Sequence, residues 1–212
     1  MGPTAVASAA SRHRIARAGE WLHARRPAEE VLIIGPTLGA ANELTHGLAQ
    51  EKRASFGYHR LTLGQLASAL ARPTLSAQRT VPLGALGILA VTNRAIHTLS
   101  EAGALGRYSN LTSGPGFARA IANVITELRL ERIEADAVAQ VAPDLRPLLQ
   151  AYERELGDHG FTDWPAVLSL AASAATNPGY KHQLLGLPTL RWSGPFARAV
   201  QTCSSRFPQT MP

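Results

Sequence analysis

The 212 residues carry 21 Lys and Arg against 15 Asp and Glu, a formal net charge of +6, with 45% apolar and 6% aromatic residues. That length can bury a sizeable core in one large or two small domains, and the scarcity of aromatics favours a helix-rich protein over a β-sandwich. A single cysteine, Cys203, excludes an internal disulfide and a cysteine-ligated cluster. No stretch approaches the roughly 20 apolar residues of a membrane span. No signal peptide is read, so a cytoplasmic protein without a membrane partner is expected.

Residues 5–26 read as a first helix, with Val6, Ile15, Ala18, Trp21 and Leu22 roughly on one face and the arginines largely on the other. Pro27 ends it. Four consecutive apolar residues, Val31 to Ile34, read as a buried parallel strand. Gly35-Pro36-Thr37 turns the chain into a helix over 38–50, an arrangement that aims backbone N–H groups and the helix dipole at an anion. Ser55 to Leu61 has the alternating, aromatic look of a second strand. Thr62 then caps a helix over 63–71, with Gln65 placed to complete a capping box, and Pro73 stops it.

From Leu83 onward the pattern is helical. A helix is expected over 83–102, a loop rich in Gly, Ser, Asn and Pro over 107–116, and an amphipathic helix over 117–131 with Phe117, Ile121, Val124, Ile125 and Leu128 inward. Pro143 sits in the first turn of the next, 144–158, whose inward face is Leu145, Leu148, Leu149, Tyr152 and Leu156. Asp163 opens a last helix to about Ala175. The expected organisation is an α/β part over 1–75, a helical part over 80–177, and a segment over 178–212 read as a strand remnant and irregular tail. That aperiodic end, with Arg191-Trp192-Ser193-Gly194-Pro195, reads either as a disordered tail or as the sign of a truncated or frame-shifted N-terminal part of a longer protein.

Several chemistries lack their residues. A nucleotide-hydrolysing loop needs Gly-x-x-x-x-Gly-Lys-[Ser/Thr], but Gly35 and Gly39 stand one residue too close, with Ala40-Ala41 where Lys-Thr would be. No Gly-x-Gly-x-x-Gly supports a dinucleotide fold. Neither Lys52 nor Lys181 follows an acid at the spacing a metal-dependent nuclease uses, and Pro143-Asp144 is read as a helix start. Glu127, Glu131, Glu134 and Asp136 alternate with Arg129 and Arg132, which reads as a solvated, ion-paired face. The seven histidines are scattered singly, and no Gly-x-Ser-x-Gly elbow occurs. Ile88 to Ala95 mimics a helicase strand and loop, but unbroken apolar periodicity between Leu83 and Leu99 favours a helix. No cofactor, nucleotide, metal or catalytic residue is assigned, and the chain alone is not expected to be an enzyme.

Taken in order, these segments resemble the N-terminal region of AddB-type subunits of bacterial helicase–nucleases, relatives of superfamily 1 helicases that commonly carry a PD-(D/E)XK nuclease domain near the C-terminus. Val31 to Leu44, with Thr37, Ala40-Ala41 and Glu43-Leu44, is similar to helicase motif Ia. Arg60-Leu61-Thr62-Leu63-Gly64-Gln65-Leu66-Ala67 is similar to the Ib element. Pro115-Gly116-Phe117-Ala118-Arg119-Ala120 with Glu127-Leu128-Arg129-Leu130 resembles the family's helical insertion. Asp144-Leu145 to Tyr152-Glu153, followed by Phe161-Thr162-Asp163, resembles its continuation. Coverage is about residues 15–190. The resemblance implies a partial P-loop-helicase-like parallel sheet plus a helical subdomain. It also implies a role in DNA repair by recombination at double-strand breaks, with the exonuclease and helicase activities belonging to the full-length relative. Single-stranded or end-unwound DNA and a helicase–nuclease partner subunit would be the partners. Thr37 and Thr62 would meet the DNA backbone with hydroxyls and helix-terminal N–H groups, and Arg60 would supply a cation. The motif carrying ATP hydrolysis has no counterpart here. Two alternatives remain at this point: a helical protein-interaction module without a nucleic-acid role, and a small α/β enzyme holding an anionic metabolite at Gly35–Ala40.

Overall fold

The computed structural model describes residues 5–26, 29–51, 57–112, 114 and 116–176. Pro27, the first two residues of the expected second strand (Ser55 and Phe56) and the segment 178–212 lie outside the described residues. The chain separates into two compact units, Met1–Ala71 with Ala171–Pro212, and Arg72–Leu170. The described residues are mainly helical, with two short parallel sheets, a mixed α/β composition in which helix predominates.

The first unit opens with α1 (Ser11–His23), shorter at both ends than the periodicity suggests. Its expected apolar face is not an inner face. Only Leu22 is buried, whereas Ile15 and Trp21 are 59% and 40% exposed and Val6 lies outside the helix. The reason is reach: α1 meets the core through its last turns, where Leu22 packs with Val31, Ile33, Ala41 and Leu48. Strand β1 (Val31–Gly35) follows, then α2 (Leu38–Glu51). Strand β2 (Tyr58–Thr62) pairs parallel with β1 in the register Val31↔Tyr58 through Gly35↔Thr62. A parallel pair needs a crossover, and α2 supplies it; α2 packs against both strands.

Helix α3 (Leu63–Gln78) does not stop at Pro73 but runs five residues past it. Proline deletes one intrahelical hydrogen bond and crowds the preceding turn. Leu70 and Ala71 before it and Leu75 after it are all buried, so apolar burial on both sides of the proline outweighs the local cost. The helix ends instead at Arg79, whose φ of 54° is left-handed.

The second unit continues through the end of α3 and a two-residue strand β3 (Val81–Pro82), which pairs parallel with β4 (Phe161–Thr162). Between them lie α4 (Ala85–Glu101), a 3-10 turn (Gly106–Leu111) inside the expected loop, α5 (Phe117–Leu130), α6 (Ala135–Val141) and α7 (Leu145–Asp158). Helix α8 (Trp164–Thr176) closes the described chain. Helix α4 packs on α5 and α7, and α6 on α7. One core joins Val91, Ile96 and Leu99 of α4, Ile121 and Ile125 of α5, Val138 of α6 and the whole expected face of α7. On α5 the inward set differs in one place: Val124 is 38% exposed and Ala122 is buried. Pro143 precedes the N-cap Asp144 rather than sitting within α7's first turn, and the seven-residue α6 is too short for periodicity to announce it. The Ile88–Ala95 segment is helical, as its pattern requires.

Candidate nucleic-acid interface

The parallel register decides where the expected residues fall. Because Gly35 lies opposite Thr62, the strand-to-helix turns after β1 and β2 open on the same edge of the sheet. Helices α2 and α3 therefore both begin there. At the first turn, Thr37 Oγ1 accepts the Ala40 N–H at 3.1 Å and so caps α2. Gly35 is required by close approach. A Cβ there would lie 2.7 Å from the Thr37 carbonyl oxygen and 3.1 Å from the Ala41 nitrogen, both backbone atoms.

At the second turn the capping box is complete. The Thr62 N–H donates to Gln65 Oε1 at 2.9 Å and the Gln65 N–H donates to Thr62 Oγ1 at 3.2 Å. Both threonine hydroxyls thus act as acceptors inside the fold. A hydroxyl also carries one O–H donor, which leaves each able to donate to an anionic oxygen. Thr37 is exposed and Thr62 half-buried.

Arg60 is not gathered with these two. It sits two residues back along β2, and its Nη1 donates to Thr45 Oγ1 of α2 at 3.4 Å. Thr45 itself donates to the Asn42 carbonyl at 2.9 Å. The guanidinium lines an open groove of about 800 Å³ along the flank of α2 and β2, with Asn42, Thr45, His46, Gln50 and Tyr58. A second, adjoining hollow shares Asn42, Tyr58 and Arg60 and adds Leu38 and His59. Sequence reasoning missed this polar wall. The signal was present, since Asn42, Thr45 and His46 recur at i, i+3 and i+4 and so share a helix face.

A second polar cluster lies in the other unit, where Glu127, Glu131, Arg132, Glu134 and Asp136 are exposed, as expected of a solvated face, and Arg129 alone departs. Arg129 does not join a solvated face with Glu127 and Glu131. Its Nε donates to Asp163 Oδ2 at 2.5 Å, its Nη2 reaches Asp163 Oδ1 at 3.3 Å, and its Nη1 pairs with Glu153. The Asp163 side chain is only 3% exposed. It also accepts the Tyr152 hydroxyl at 3.4 Å and the Ala166 N–H at 3.1 Å, capping α8. Burial works against the Arg129 charge, but hydrogen bonding and attraction to Asp163, then Glu153, outweigh it and hold the guanidinium pKa above its ordinary value. Burial first, then the Asp163 charge, push the Tyr152 phenol upward, with Arg129 pulling the other way. The geometry is that of a satisfied internal tie between α5, α7 and α8. Of the acids grouped with Arg129 by sequence, Asp136 pairs with Arg146 of α7 at 2.9 Å.

Among the described residues no group of three or more His, Cys, Asp and Glu is disposed to hold a metal ion, and no helix is long and apolar enough to cross a membrane. No protein-family model matches this chain, and no curated protein matches it significantly.

Proposed function

We propose that the chain guides single-stranded DNA as a non-catalytic N-terminal part of a helicase–nuclease subunit of the AddB type, acting on double-strand-break ends while a partner motor supplies catalysis. The observation that carries this reading is the shared edge of β1 and β2. Two threonine-capped helix N-termini open side by side there, each with backbone N–H groups and a hydroxyl donor. Such an edge suits successive backbone phosphates, because helix N-termini attract anions and phosphate contacts position a strand without reading its sequence. Arg60 belongs to the approach, on the groove beside α2. The net charge of +6 favours a polyanionic partner.

The test is oligonucleotide binding across a salt series. The slope of log K against log salt should be about −0.7 for each phosphate engaged on a single strand, and Arg60→Ala should make it shallower by about that much. Thr62→Ala should weaken binding, whereas Thr62→Ser should preserve it. Gln65→Ala breaks the capping box but leaves the hydroxyl, so it separates a folding effect from a DNA contact. Affinity that is undetectable or indifferent to salt would overturn the reading in favour of a helical protein-interaction module.

A further inference from the structure

The first two turns of α1 break several rules of helix construction together. Every residue from Ser11 to Arg17 is exposed, so none of them is a buried contact of its unit. The N-cap is Ala10 and makes no side-chain cap, and the first turn holds no acid. Arg12 and Arg14 sit near the end where the helix dipole disfavours cations. Such local inconsistency is expected where a residue serves function rather than stability.

The arrangement of side chains says what they serve. Arg14, Arg17 and Trp21 stand three and seven residues apart, on one ridge of the helix. Just beyond it, the Arg25 guanidinium lies over the Trp21 ring at 4.1 Å from its centroid and pairs with Glu29 at 3.3 Å. The indole is 40% exposed. Arg17 and its partner Glu20 are 53% and 61% exposed, and an ion pair so open to water costs little to exchange. Arg14 is held by Ser11 Oγ at 3.0 Å and by the Ser8 carbonyl, contacts that orient the guanidinium without neutralising it.

We infer that the Arg14–Arg17–Trp21–Arg25 ridge is a second contact for single-stranded DNA, with a base stacked on the open part of Trp21 and flanking phosphates on Arg14 and Arg17. Arginines interleaved with an exposed aromatic are what a splayed, single-stranded polyanion needs, since every base has a face to stack and every linkage a charge. The Arg25 cation already seated on the ring pre-positions the indole. Glu20 is the competitor that the phosphate displaces from Arg17. The inference rests on the DNA-binding reading above.

The experiment uses the whole chain with Trp164→Phe and Trp192→Phe, which leaves Trp21 as the only tryptophan. Titration with oligo-dT should quench its fluorescence, while an abasic oligodeoxyribose phosphate of the same length should bind without quenching. Trp21→Leu should weaken oligo-dT binding about fivefold or more, and Trp21→Tyr, which keeps a stacking ring and guards against a folding artefact, should retain most of the affinity. Arg14→Gln with Arg17→Gln should make the salt slope shallower by about 1.4, and Glu20→Gln should tighten binding. Equal quenching by the abasic strand overturns the stacking assignment. Quenching by phosphatidylglycerol vesicles and not by oligo-dT overturns it in favour of a membrane surface. If Arg60→Ala with Thr62→Ala abolishes binding while the α1 variants bind as the parent does, this inference fails and the strand-edge reading stands. The reverse pattern keeps the α1 contact and removes the strand-edge one, and absence of any oligo-dT binding overturns both.

Discussion

Tyr152 shows how a single side chain couples burial to pH. Its ring is almost fully buried in the core of the second unit, and its hydroxyl donates to the Asp163 carboxylate at 3.4 Å. Burial first and the neighbouring negative charge second raise its pKa above the ordinary value near 10. Below about pH 10 the phenol is protonated in both folded and unfolded chains, and the stabilisation is complete. Above that pH the unfolded chain releases the proton more readily, so stability falls as pH rises. Tyr152→Phe should therefore lose only a weak hydrogen bond at neutral pH, about 0.5–1.5 kcal/mol. It should also show a smaller decline of melting temperature above about pH 10 than the parent, read by circular dichroism. An equally steep alkaline decline in the variant would remove Tyr152 as its source. The residue's inward position was legible from the i, i+3, i+4, i+7 spacing of Leu145, Leu148, Leu149 and Tyr152; its hydrogen-bond partner, eleven residues on, was not.

Between elements, the decisive contact is the one between Arg129 of α5 and Asp163 at the start of α8, with Glu153 of α7 on the outer side. Their sequence separations of 24 and 34 residues explain why local charge patterning assigned Arg129 to the wrong partners. Glu127 and Glu131 are near it in the chain, but a helix side chain at the edge of a buried stripe turns toward whatever acid the neighbouring helices deliver. Removing one partner of a largely buried pair leaves the other desolvated. With Arg129 itself 20% exposed, Arg129→Met should cost about 2–4 kcal/mol in urea unfolding, with the loss coming through α5, α7 and α8. Arg129→Lys should recover only part, because an ammonium cannot match the forked contact with Asp163. A cost below about 0.5 kcal/mol for Arg129→Met would mark this pair as no stronger than a surface one. The capping box of α3 is the opposite case, readable in full from Thr62 and Gln65 because both partners lie within one turn.

At the scale of the molecule, the two units carry different cores. The core of Arg72–Leu170 draws on α4, α5, α6 and α7, with Tyr152, Leu105, Ile125, Leu148 and Leu149 at most 1% exposed. Among the described residues, the cluster around β1 and β2 has five buried members, Leu22 and Leu48 among them, over a sheet of two strands. Local opening follows the density of buried apolar contact. Native-state hydrogen exchange should therefore find the slowest amides in α4, α5 and α7, with β1, β2 and the start of α1 exchanging earlier. Equal protection across both units would mean that they unfold as one. The early opening of the strand edge and of α1 is also what the proposed contacts with DNA require, since elements that bind and release are drawn from the less stable part of a fold.

What the sequence by itself determined is local. The Val31–Ile34 run, the turn at Gly35, the α2 and α4 periodicities, the Thr62–Gln65 box and the inward face of α7 all depend on residues within a turn or two of one another, where backbone sterics and side-chain spacing decide. Tertiary structure decided the rest. It paired β1 with β2 so that Thr37 and Thr62 share an edge while Arg60 turns to Thr45. It carried α3 through Pro73 by burying both sides of it, and it turned Arg129 toward Asp163. It also left Trp21 uncovered on a helix whose apolar spacing promised an inner face. Periodicity specifies which side chains share a face; only the elements that arrive from elsewhere in the chain determine whether that face meets protein or solvent.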